Sequence, residues 1–141
     1  MMENPQENNI HKSGKVFLAI NWAFYMGLGI LFLINPAGMS EGLGYAGLNK
    51  AGLTDIMATY GGLFIGIGIL LYLNWKQDQI ELGLKIVFWT YFGFALGRSI
   101  AVIRFGGFYG LHCYWLSFEL VWLLITKQFL RKHINREEIQ Q

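Results

Sequence analysis

The chain has 141 residues, of which 54% are hydrophobic and only 14% charged. That is one domain's length with far less charge than the roughly 25% of soluble domains, so a compact water-soluble body is excluded. The net charge of +2 is too small to point to nucleic acid, and no basic stripe alternates with stacking aromatics as single-strand binders require.

The first apolar run, VFLAINWAFYMGLGILFLI at 16–34, is interrupted only by Asn21. It suffices for the roughly 20-residue helix that crosses a bilayer core of about 30 Å. Lys12 and Lys15 precede it, as in a signal peptide, but it is longer than a signal core and NPAGMSEG holds no small-x-small cleavage pattern, so it reads as a retained anchor. Pro36 stops the helix. Beyond it a Gly-Leu pair recurs at 42, 47 and 52, a spacing that fits neither the helical nor the strand period. A Gly-rich loop against the membrane surface is expected there, a re-entrant segment being the alternative.

The second run, IMATYGGLFIGIGILLYL at 56–73, closes on Asn74, Trp75 and Lys76, an interfacial aromatic followed by a cation. The third, LGLKIVFWTYFGFALGRSIAVI at 82–103, contains Lys85 and Arg98; the fourth, FYGLHCYWLSFELVWLLIT at 108–126, contains His112 and Glu119. Lys85 follows Glu81 by four residues, a helix-supporting pair from which the long stem can snorkel. Cys113, the single cysteine, excludes an intramolecular disulfide and cysteine-based zinc or redox motifs, and reads as a packing residue.

Short connections favour antiparallel neighbours. The expected fold is therefore all-α, an integral-membrane antiparallel four-helix bundle over 16–126, with an N-terminal tail at 1–15 and a basic C-terminal tail at 127–141. With the N-terminus, the second connection and the C-terminal tail on one side, that side holds Lys12, Lys15, Lys76, Lys85, Lys127, Arg131, Lys132 and Arg136, against Lys50, Arg98 and Arg104 elsewhere. The positive-inside rule then puts both termini in the cytoplasm, and the Gly-rich loop and RFGGFYG outside.

Helices in lipid associate where small residues let backbones approach. Gly62-x-x-x-Gly66, with Gly61 and Gly68 on an adjoining face, and Gly93-x-x-x-Gly97 followed by Ala101 are the candidate packing faces, within one bundle or between copies. Arg98 poses a sharper problem, since a lone arginine at mid-helix costs about 2.5–3.5 kcal/mol on insertion scales and needs a partner. Glu119 is the candidate, on a stripe of the fourth run shared with His112, Trp115 and Trp122. The two backbones differ in depth by roughly 9 Å at a rise of about 1.5 Å per residue, but helical side chains lean toward their own N-termini and so point at each other across antiparallel helices. Asn21, Tyr25 and Tyr60 are candidates for further hydrogen bonds. The cluster reads either as a structural ion pair or as an outward-opening polar cavity.

The runs ATYGGLFIGIGILL, FALGRSI and FEL resemble domain of unknown function family 4345, small and mostly bacterial membrane proteins. The likeness covers roughly residues 15–126, and it singles out Tyr60, Gly61, Gly62, Arg98 and Glu119. The resemblance implies four membrane helices, a bacterial inner-membrane location and no assigned activity; a looser similarity in topology links the chain to DoxX-like membrane proteins. An enzyme is the weakest reading, for HExxH, GxSxG and a phosphate-binding glycine loop are all missing, and neither cofactor nor metal is expected. A binding or accessory protein fits best, with a buried polar site for a lipid, a hydrophobic small molecule or a membrane partner. The alternative is a small-molecule or proton-coupled transporter working as an oligomer. Expected partners are the bilayer, such a ligand, and a second copy or another membrane protein.

Overall fold

A computed structural model describes residues 5–105 and 111–139. The described chain is all-α, without strands. Helix α1, Pro5–Ile34, ends where Asn35 precedes a proline, a position whose sterics disfavour continued helix.

The expected Gly-rich loop contains two short helices, α2 (Pro36–Gly42) and α3 (Lys50–Ile56). Each has its own asparagine cap: Asn35 Oδ1 accepts from Gly38 N at 3.1 Å, and Asn49 Oδ1 accepts from Gly52 N at 2.9 Å. Caps of this kind satisfy the free N–H groups of a first turn. A count of glycine spacing cannot see them. Only the stretch between these helices is irregular, and there Gly44 and Gly47 take positive φ of 90° and 69°, the region open to residues without a Cβ.

From α3 the helix runs without a break into a π-helical segment, Met57–Leu63, and then into α4, Phe64–Lys76. The π turn contains the TYGG sequence. Residues Gln77–Gln79 connect to α5, Ile80–Phe105, and α6 spans Leu111–Ile139. RFGGFYG runs beyond Phe105 to outside the described residues, as does the start of the fourth apolar run. α6 carries the helix through Lys127 into the basic segment, and α1 likewise begins within the N-terminal one.

The most extensive pairings are α1 with α4 and α5 with α6, and α1 also touches α5 and α6. Their shared core includes Leu18, Tyr25, Leu71, Leu84, Val87 and Tyr91. Outside it the molecule is apolar as well: Ile103 is 83% exposed, Ile34 76% and Trp89 64%. Exposure on this scale belongs to a surface facing hydrocarbon. Among the described residues three helical stretches are long and apolar enough to cross a membrane: Asn9–Ile34, Lys50–Lys76 and Ile80–Phe105. The fourth apolar run, 108–126, begins outside the described residues, and its described part lies in α6 with His112 and Glu119.

Within one chain the expected packing glycines divide. A Cβ at Gly66, Gly93 or Gly97 would meet nothing within 4 Å, and at Gly62 only the Met57 carbonyl at 3.9 Å. These four face open space. The close approaches are made by Gly61 and Gly68, on the adjoining face, and by Gly29, outside the expected faces. At Gly29 a Cβ would lie 2.9 Å from Gly61 O and 3.0 Å from Ile65 N, and at Gly68 it would lie 3.1 Å from Met26 N. The GxxxG spacing marks which residues share a face but not which face meets a neighbour.

Candidate functional site

Arg98 lies on α5 and Glu119 on α6. Arg98 Nε donates to Glu119 Oε1 at 2.7 Å, and Arg98 Nη1 lies 3.0 Å from His112 Nδ1. A guanidinium can only donate, so Nδ1 accepts and the imidazole proton sits on Nε2. The glutamate side chain is only 4% exposed, the arginine's 23%. Hence the carboxylate is the deep member of the pair and the cation its outer cover.

Glu119 and Arg98 form one end of a cavity of about 110 Å³. Its walls are largely aromatic, with Tyr25, Tyr60, Phe64, Tyr91 and Phe118 among them, and Met39 and Leu43 close it from α2 and the residue after it. Tyr60 reaches it from the π turn, stacked on Phe32 at 5.1 Å and edge-on to Phe64 at 5.5 Å. π turns recur at functional sites because they shift the register of the side chains around them. Here the turn sets Tyr60 in the cavity wall while Gly61 faces Leu33 and Gly29.

Two residues of the cavity lining carry a buried polar atom with no hydrogen-bond partner among the described residues: Glu119 at Oε2 and Trp115 at Nε1. Such groups normally find partners, and each one left alone costs about 1–3 kcal/mol. Beside the cavity lies an open groove of about 420 Å³, floored by Gly93, Gly97 and Ala101, with Tyr45 and His112 also on its lining. Tyr60, Phe94 and Arg98 line both spaces.

Of the residues singled out in the sequence, Arg98, Glu119, Tyr25 and Tyr60 converge on the cavity, and His112 touches it through Arg98. Asn21 is placed elsewhere. Its Oδ1 accepts from Trp122 Nε1 at 2.9 Å and its Nδ2 donates to Phe17 O at 2.8 Å, a separate link between α1 and α6. The sequence stripe on α6 is therefore divided, with His112, Trp115 and Glu119 at the cavity or its arginine and Trp122 at Asn21. Met39 and Leu43 were missed because their segment reads as loop; Trp115 was placed on the Glu119 stripe without a role of its own.

A second polar cluster joins the opposite ends of these helices. Lys15 Nζ lies 2.6 Å from Asp78 Oδ1 and His11 Nε2 lies 3.1 Å from Asp78 Oδ2, with the His133 ring 6.3 Å from that of His11. Asp78 has a positive φ of 61°, which aspartate tolerates better than most residues. The hydrogen bond from Lys15, aided by the charge of His11, holds the Asp78 carboxyl below its ordinary range despite a smaller opposing effect of burial. Among the described residues no group of three or more His, Cys, Asp or Glu side chains could hold a metal ion.

All-α structure with three helices among the described residues long and apolar enough to cross a membrane, and an arginine–glutamate pair on the lining of an aromatic cavity, define a class: a small helical membrane protein with a buried polar site. The family model for Domain of unknown function (DUF4345) matches residues 13–127, and the chain belongs to that family. No curated protein and no solved structure matches it.

Proposed function

We propose that this protein is a non-catalytic binding protein of the membrane, which holds a lipid or hydrophobic small molecule in the aromatic cavity with the ligand's polar end against Glu119. The observation that carries this reading is Glu119 Oε2, buried and without a partner on the cavity lining. A purely structural ion pair would gain by satisfying both carboxylate oxygens, as bidentate arginine pairs do. The second oxygen of Glu119 is left without a partner among the described residues. In the same reading the helices form an antiparallel four-helix bundle in a bacterial inner membrane, with both termini cytoplasmic, supported by the eight-to-three division of cations.

Native mass spectrometry of protein extracted together with its lipids tests the binding role. The expected result is a protein that keeps one lipophilic species through detergent exchange. Recovery of bare protein from every extraction would overturn the reading.

A further inference from the structure

The cavity specifies the kind of ligand head as well as its presence. Its charge is balanced, because Arg98 is permanently cationic and bonded to the carboxylate of Glu119 at 2.7 Å. An anionic head would meet the buried carboxylate, and a cationic one the guanidinium. Either would bring an uncompensated charge into a low-dielectric space. What the lining residues carry is one unfilled acceptor, Glu119 Oε2, and one unfilled donor, Trp115 Nε1. A hydroxyl matches that set.

Size and wall shape narrow the body that carries it. A cavity of about 150 Å³ lined by apolar side chains holds a benzene, so the 110 Å³ here admits at most one six-membered ring, flanked by aromatic faces suited to stacking. Any longer apolar remainder must leave. The groove supplies the exit, since it shares Tyr60, Phe94 and Arg98 with the cavity and has no Cβ over Gly93 or Gly97 to obstruct a chain.

We infer that the site takes a neutral, tailed amphiphile with a single hydroxylated ring as its head, a phenol-type lipid, whose ring stacks in the cavity and whose apolar tail lies in the Gly93–Gly97 groove. This rests on the binding role proposed above and adds the ligand class and its route.

The test is equilibrium binding to the full chain in phosphatidylcholine nanodiscs. The probes are para-dodecylphenol and three matched compounds: dodecylbenzene without the hydroxyl, para-dodecylbenzoate with an anion, and para-dodecylbenzylammonium with a cation. The phenol is expected to bind about tenfold more tightly than each of the others, the scale of one hydrogen bond to a charged group. Gly97→Leu should weaken dodecylphenol about tenfold by filling the groove, leaving the thermal midpoint and the binding of tail-less para-cresol unchanged. Equal or tighter binding of a charged or hydroxyl-free probe overturns the inference while leaving the binding role standing. An unaltered dodecylphenol affinity in Gly97→Leu overturns the route. If no probe binds, the orphaned atoms are served by water alone, and the inference and the binding role both fall.

Discussion

Arg98 is tolerable within an apolar helix because two side chains of α6 divide its donors, Glu119 taking Nε and His112 taking Nη1. Removing one partner strands the other, which typically costs about 3–5 kcal/mol, whereas exchanging both for apolar residues can be nearly neutral. Arg98→Leu and Glu119→Leu are therefore each expected to lower the thermal midpoint strongly in detergent, with most of the loss recovered in the double variant. If the recovered double variant also keeps its lipophilic ligand, the pair is structural only. At the other end of the helices Asp78 makes stability depend on acid. Its native pKa is lowered, so its contribution is complete above the unfolded value of about 4 and fades as pH falls below that through the lowered native value. Melting curves from neutral pH to pH 3 should show an acid-dependent loss that is smaller in Asp78→Asn.

At the scale of the element, backbone approach between α1 and the stretch from the π segment through α4 decides which glycines matter. Gly29→Ile and Gly68→Ile would drive a side chain into backbone atoms at about 3 Å, and overpacking of this kind costs about 1–3 kcal/mol. Gly62→Ile and Gly97→Ile meet open space and should melt within a few degrees of Gly27→Ile, which is equally unobstructed. Comparative melting of the five variants checks the ranking. A large loss at Gly62 or Gly97 would show that a second copy covers that face.

For the whole molecule the open question is orientation. With Cys113 replaced by serine, a cysteine at position 138 should resist a membrane-impermeant thiol reagent in intact cells and react after lysis, whereas one at position 47 should react in both. Labelling of position 138 from outside would reverse the assignment, and with it the side of the membrane toward which the Arg98 end of the helices lies.

Composition and hydropathy alone determined the environment and the helical class, because a bilayer allows few ways to satisfy a backbone and marks them with long apolar runs. They also determined that Arg98 must be answered; side-chain lean named Glu119 as the group that could answer it, and the shared helix stripe added His112. Only the tertiary structure decided which glycines touch a neighbour, since periodicity gives a shared face but not what lies opposite. It alone revealed the π turn at TYGG, a change in backbone hydrogen bonding that leaves the apolar pattern unaltered, and the cavity itself. Trp115 and Glu119 of α6 meet Tyr25 of α1, far away in sequence, around one aromatic space, and there Trp115 Nε1 and Glu119 Oε2 are left without a partner among the described residues.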